Sequence, residues 1–338
     1  MKNDSEIRVG LVGCGNAGRN IHMALLTAYP ALYRVICCAD AAPANADALA
    51  KDFDLRAAKS VEQLLAEDGV ELVVVATRPP VTHRDVAVQA LRSGKHVVVE
   101  KPMADSDAQC AEMVAAAAAA GRVLAVHHNR RWDMDYLAVR HLIESGALGR
   151  VRLVRNEYTA GYAGSPYDWA IHLVDQTMSL SQGRRFVEVS ATFCAPDVEK
   201  PRDSAGFFSA RFRTEDGVLH DVSMLPTFDG NAYRPGKMPY RFMLAGTEGI
   251  VYQDWCQRPE DAVARPTFVQ RPKGAKAIGD LPLLTMKRTA PDFYESLYAA
   301  IRKGGPVPVP GAEGRRAVRA WELICQSACE SRTLSVSL

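Results

Sequence analysis

The run Ile7-Arg8-Val9-Gly10-Leu11-Val12 leads without a break into Gly13-Cys14-Gly15-Asn16-Ala17-Gly18, and Asn20 to Leu26 carries the helical pattern that follows. Few backbones satisfy an apolar strand that ends in Gly-x-Gly-x-x-Gly and reopens as a helix. Gly13 permits a tight turn, Gly15 lets a phosphate approach the backbone, and Gly18 lets helix and strand pack closely. The N–H groups of Asn16, Ala17 and Gly18 then sit at the positive end of the helix dipole, where an anion is favoured. The pattern predicts a pyrophosphate-binding turn. The structural alternative is a glycine-rich strand-to-helix turn that binds nothing.

What surrounds the turn favours the binding reading. From residue 7 to about 126, short β-branched runs (Arg8 to Val12, Tyr33 to Ala39, Leu72 to Ala76, His96 to Val99, Arg122 to Val126) alternate with helix-like stretches. Alternation of this kind predicts a Rossmann-type doubly wound parallel sheet, covered on both faces. Ser60 with Gln63 and Thr82 with Asp85 resemble capping boxes, and Gly94, Gly121 and Gly146 stand where helices end. The second strand ends at Asp40, about 20 residues past the last glycine, where a carboxylate can accept from adenosine ribose hydroxyls. With no Arg or Lys between Asp40 and Lys51 to meet a 2′-phosphate, NAD is favoured over NADP. An Asp that only starts a turn before Pro43 is the plainer alternative.

After residue 150 the pattern changes to strand-like runs separated by turns: Val151 to Tyr158, Phe186 to Phe193, Phe207 to Arg213, Val218 to Leu225, Tyr240 to Leu244 and Ile250 to Trp255. The expected architecture is therefore α/β, a dinucleotide-binding domain over 1–128 followed by an α+β substrate and oligomerisation domain over 129–338. The second domain holds a large, mainly antiparallel sheet. Helices are expected from about Asp168 to Leu180, from Pro291, and from about Glu313 to Cys329.

Charge excludes some partners. With 41 Lys and Arg against 39 Asp and Glu, the net charge of +2 supplies no broad basic field for nucleic acid or an anionic membrane. Eight cysteines without a Cys-x-x-Cys pair read as small buried hydrophobes in a reducing compartment. No apolar signal core follows Met1, so a cytoplasmic protein is expected. His127 and His128 are adjacent and lack a third ligand at a recognisable spacing, so no metal centre is expected.

Four further motifs resemble the Gfo/Idh/MocA oxidoreductases over nearly the whole chain. Glu100-Lys101-Pro102 follows the strand His96 to Val99; Thr77-Arg78-Pro79-Pro80-Val81-Thr82-His83 precedes it; Asn129-Arg130-Arg131-Trp132-Asp133 resembles the family's domain junction. Tyr167 to Gln176 then matches the family's Asp-x-x-x-His helix through Asp168 and His172. Read from the residues alone, Lys101 lies at the carboxyl end of a parallel strand, where an ammonium can stabilise an alkoxide. Asp168, His172 and Asp175 form a polar stripe at i, i+4 and i+7, beside an apolar face of Ile171, Val174 and Met178. A His so placed suits proton exchange near neutral pH, and a satisfied core histidine is the alternative.

The resemblance implies cofactor contacts at Thr77, Pro79, His83, Glu100, Lys101 and Asn129, beside Gly13, Gly15, Asn16, Ala17, Gly18 and Asp40. It implies substrate contacts at Lys101, Arg130, Asp168 and His172, and a catalytic set of Lys101, Asp168 and His172. The implied reaction passes a hydride between NAD and a secondary alcohol of a sugar, cyclitol or similar molecule. Two other roles occur in the superfamily, an NAD-dependent glycosidase with transient oxidation and a non-catalytic dinucleotide-binding regulator; intact Lys101, Asp168 and His172 argue against the second. This sequence departs from the family at Gly164-Ser165-Pro166-Tyr167, where a glycine-rich run is usual, and at Trp169-Ala170 between Asp and His. The expected partners are a carbohydrate-like small molecule and further copies of the chain, as a homodimer or homotetramer through the C-terminal sheet.

Overall fold

The computed structural model describes residues 6–160, 166–194, 207–226, 241–253, 267–270, 279–280 and 292–338. Gly164, Ser165, Tyr240, Trp255 and Pro291 lie outside the described residues. The chain divides into two compact units, Met1–His128 with Pro291–Val318, and Asn129–Ala290 with Arg319–Leu338.

The first unit is built on six strands, β1 (Ile7–Val12), β2 (Tyr33–Ala39), β3 (Arg56–Ala57), β4 (Leu72–Val75), β5 (His96–Glu100) and β6 (Leu124–His127). They are ordered β3-β2-β1-β4-β5-β6, and every neighbouring pair is parallel. β4 reads Leu-Val-Val-Val and is buried at each position, as a strand covered on both faces must be. Strand order reverses between β1 and β4, and in sheets of this kind the carboxyl ends of the strands at that reversal open a ligand crevice. The glycine turn, the loop after β4 and the loop after β5 all leave from those ends. β3 carried no pattern to predict, since its two residues are both exposed.

The helices are α1 (Ala24–Thr27), α2 (Pro43–Phe53), α3 (Val61–Leu65), α4 (His83–Arg92), α5 (Asp107–Ala120) and, late in the chain, α8 (Phe293–Lys303). A π-helical segment, Ala17–Met23, precedes α1 without a break. Gly94, Gly121 and Gly146 all take the left-handed backbone expected beyond a helix end. Ser60 caps α3 through its hydroxyl. Thr82 does not cap α4; its hydroxyl lies 2.6 Å from that of Thr77 and donates to the Pro79 carbonyl.

The expected division at 128/129 would put 291–318 in the second domain, but that segment belongs to the first unit. Its anchor is α8, whose buried Tyr294 offers a carbonyl to the Tyr33 hydroxyl at 2.7 Å, while Arg302 pairs with Glu71 at 2.8 Å. A helix that returns to a distant sheet leaves no local mark in the sequence.

Among the described residues the second unit carries nine strands, β7 (Val151–Ala160), β8 (Phe186–Cys194), β9 (Phe207–Thr214), β10 (Leu219–Pro226), β11 (Phe242–Gly246), β12 (Gly249–Gln253), β13 (Thr267–Gln270), β14 (Gly279–Asp280) and β15 (Leu334–Ser335). Their order is β14-β13-β12-β11-β7-β10-β9-β8-β15, and only β7 and β10 pair in parallel. Along β9 burial alternates, with Phe208, Ala210 and Phe212 turned to the core. The helices described in this unit are α6 (Met134–Glu144), α7 (Pro166–Leu180) and the far part of α9 (Gly311–Glu330). α7 is docked on the sheet by Asn156 of β7, whose amide donates to the Leu173 carbonyl at 3.0 Å. No helix among the described residues is long and apolar enough to cross a membrane.

Candidate active site

Each glycine of the turn answers to a different constraint. Gly13 has φ +98°, and a Cβ there would lie 2.5 Å from the Ala76 backbone. Gly18 would bring a Cβ to 2.0 Å from the Gly13 carbonyl, so helix and strand meet at van der Waals closeness only because it has none. At Gly15 a Cβ would meet nothing within 4 Å. The protein itself does not require glycine there, whereas a phosphate group resting on the backbone would. Asn16 and Ala17 follow at the start of the helix, with Arg19 N donating to the Gly15 carbonyl at 2.8 Å.

Asp40 at the end of β2 belongs to the same turn. Its Oδ2 accepts from Cys14 N at 2.7 Å, and Oδ1 accepts from Ala42 N at 2.8 Å, so one carboxylate braces the glycine turn and also opens the turn into α2. Both readings of Asp40 are thus compatible in one residue. A dinucleotide fits this set of groups: a bare backbone facing open space at Gly15, and an anionic acceptor beside it.

Thr77 and Pro79 lie in the loop after β4. His83, placed by the resemblance among the cofactor contacts, is buried with its ring nitrogens 2.9 Å from the Pro102 and Thr77 carbonyls. It ties the loop after β4 to the loop that carries Lys101. Glu100 is also turned inward: Oε1 meets His127 Nδ1 at 2.6 Å and His22 Nε2 at 3.0 Å, and Oε2 accepts from Lys101 N at 3.0 Å. Burial works against its charge but is outweighed by His127, through charge and hydrogen bond, and by His22, so the carboxyl sits well below the usual carboxylate range. His22, Glu100 and His127 offer ligand atoms within 4.8 Å of one another, a group that separation in sequence had hidden.

In the second unit α7 brings Asp168 and His172 onto one flank. His172 is buried and meets the Trp169 ring edge-on at 5.8 Å, and Ile171, Val174 and Met178 are buried as their spacing predicts. Trp169 stacks on Tyr158 at 5.1 Å and lies 4.7 Å from the Arg130 guanidinium, which also pairs with Asp133 at 3.0 Å. Asn129 opens the short turn Asn129–Trp132 that holds Arg130 and Arg131. Asp175, third in the predicted stripe, is turned inward and binds Arg131 through two hydrogen bonds, 2.7 and 2.8 Å long. Gln176 donates to the Arg130 carbonyl at 2.7 Å and accepts from buried Arg241 at 2.6 Å. Arg131, Gln176 and Arg241 thus fix the turn against α7. Of the residues predicted to share chemistry, Lys101 is in the first unit and Asp168 and His172 are in the second.

Two family models match the chain, one described as an oxidoreductase family with an NAD-binding Rossmann fold over 7–128, the other as the GFO/IDH/MocA C-terminal domain over 136–252. The chain belongs to the Gfo/Idh/MocA oxidoreductase family. It is 29% identical to the uncharacterized oxidoreductase YdgJ of Escherichia coli K12, over 98% of this chain and 99% of that one. It is 26% identical to scyllo-inositol 2-dehydrogenase (NADP(+)) IolW of Bacillus subtilis, over 97% and 95%. The crystal structure of an NAD-binding protein from Listeria innocua shares the fold, with a TM-score of 0.80 at 24% identity, over 98% and 97%.

Proposed function

We infer that this oxidoreductase uses NAD to exchange a hydride with the carbinol carbon of a cyclitol, sugar or sugar derivative. The observation that carries the reading is the turn in which Gly15 faces open space while Asp40 presents a carboxylate beside it. A 2′-phosphate would be repelled by that carboxylate, which favours NAD although the relative IolW is NADP-dependent by name. The substrate class is supported by the relative IolW, an inositol dehydrogenase, and by the Asp-x-x-x-His pattern of α7.

In this reading Gly13, Gly15, Asn16, Ala17, Gly18 and Asp40 hold the dinucleotide, with Thr77, Pro79 and Asn129 bordering it. Arg130 borders the substrate. Bound nicotinamide supplies the hydride acceptor. His172 takes the hydroxyl proton, the Lys101 ammonium stabilises the charge developing on the oxygen, and Asp168 orients both. The second copy of the chain is expected on the face of the nine-stranded sheet that carries Arg155, Arg211 and Asp221, around a concavity of about 1220 Å³.

The test is NADH or NADPH formation by the purified protein across inositols, aldoses and sugar acids. Turnover of at least one polyol, faster with NAD, is expected; no turnover of any of them would overturn the reading.

A further inference from the structure

Around the Glu100 carboxylate four segments of the first unit converge: the π-helical segment after the glycine turn (His22), the end of β5 (Glu100), the end of β6 (His127) and α8 (Tyr294). All four side chains are buried. An ionised carboxylate only accepts, so the ring nitrogens facing Oε1, His22 Nε2 and His127 Nδ1, each present a hydrogen. Burial, followed by the neighbouring His127, pushes His22 below the ordinary histidine range, so it is neutral and its Nδ1 is a bare acceptor. Tyr294 stands 2.6 Å from that nitrogen, and burial, with Tyr33 and Glu100 near, holds its phenol protonated. Each proton then has one place: Tyr294 O–H donates to His22 Nδ1, His22 Nε2–H and His127 Nδ1–H to Glu100 Oε1, and Lys101 N–H to Glu100 Oε2.

A metal ion is the competing occupant of this cluster. The 2.6 and 3.0 Å contacts are those of hydrogen bonds, and the carboxylate already has donors on both oxygens. A proton network accounts for those distances without a cation.

We propose that His22, Glu100 and Tyr294 are positioning residues that tie the backbone of Lys101 to the dinucleotide-binding helix, so that Lys101 is held in register with a bound cofactor. His22 is four residues past Gly18 on the helical segment that begins at Ala17, so a shift of that segment moves Nε2 and, through Glu100, the Lys101 amide. The role rests on the reading of Lys101 as the group that stabilises the reacting oxygen.

The test uses the full chain at a temperature where circular dichroism shows each variant folded. Glu100→Gln puts an amide N–H against one of the donors and should lower kcat by about 30-fold or more while the Kd for NADH stays within about threefold. A folded Glu100→Gln with unchanged kcat, or one whose NADH affinity falls as far as kcat does, would overturn the role. If that variant does not fold, Tyr294→Phe removes one oxygen only. It should lower kcat several-fold at unchanged KM, and no change would count against the proposal.

The readout independent of turnover is side-chain nitrogen NMR of the histidines. His22 should be the neutral Nε2–H tautomer in the wild type at pH 7, keep it in Tyr294→Phe, where Glu100 still accepts from Nε2, and lose that single form in Glu100→Gln. A doubly protonated His22, or stoichiometric bound metal by elemental analysis, contradicts the network. A wild type with the expected tautomer and no polyol turnover would overturn the functional reading alone.

Discussion

In the first unit the candidate ligand contacts lie in turns beyond the carboxyl ends of parallel strands, whereas in the second the candidate catalytic pair, Asp168 and His172, projects from the flank of a helix laid on a mainly antiparallel sheet. The difference follows from burial. Strands such as β4, buried at every position, have only their ends to offer a ligand, and what they offer is backbone. The sheet of the second unit carries α7 on β7 and β10, and that helix offers side chains. Dinucleotide binding at the glycine turn of the first unit therefore depends on where a Cβ is absent. Chemistry in the second depends on which charged groups are paired.

The comparison is sharpest where each unit supplies a reacting group. Lys101→Ala should lower turnover by about 10³-fold or more with NADH binding retained, since the ammonium is read as acting on the transition state alone. His172→Ala should cost about 10²-fold or more in kcat. Full activity in either variant, by steady-state kinetics, would break the assignment for its unit.

Next come the glycines. Gly15→Ala should leave the melting temperature within about 2 °C of wild type, because a methyl there meets nothing in the protein, while weakening NADH binding about tenfold. Gly18→Ala, with a Cβ 2.0 Å from the Gly13 carbonyl, should lower stability as well as affinity. Equal behaviour of the two in calorimetry and fluorescence titration would erase the distinction between a ligand constraint and a packing constraint.

The second unit should answer in the opposite way to loss of a partner. Arg131→Ala strands the buried Asp175 carboxylate and should cost about 3 kcal/mol of stability, read from urea unfolding. A silent variant would mean that the pair does not hold the turn to α7.

The smallest expected effects are in pH dependence, and the units oppose each other. His96 in the first unit is pushed down to about 4, by burial first and then by Arg122 and Arg302. Between about 6.5 and 4 the unfolded chain takes up the proton that folded His96 refuses, so stability is lost as pH falls through that window. Asp133 in the second unit is pushed up to about 7, by burial and then by Asp135, against Arg130. From about 3.9 to 7 the folded state keeps a proton that the unfolded chain has released, so stability is lost as pH rises. His96→Gln should flatten the acid side of the melting-temperature profile and Asp133→Asn the neutral side.

Legibility in the sequence follows the same division. The glycine turn, Asp40, the loop motifs and the Asp168–His172 spacing are local patterns, and the parallel and antiparallel halves follow from periodicity. The network at Glu100 was out of reach, because Tyr294 and His22 are separated by 272 residues and nothing in either segment announces the other. Arg131 with Asp175, and Gln176 with Arg241, are hidden for the same reason: a buried pair is set by how elements pack. The strands that went unforeseen, β3, β13, β14 and β15, are two to four residues long and too short to display a period.

Direct hydride transfer is the central claim, and isotope transfer tests it most closely. With the polyol that turns over best, deuterated at each ring carbon in turn, mass spectrometry of the NADH formed should find one deuterium for one labelled carbon and none for the others. NADH without deuterium from any labelled position, or from Lys101→Ala at the wild-type rate, would contradict the account.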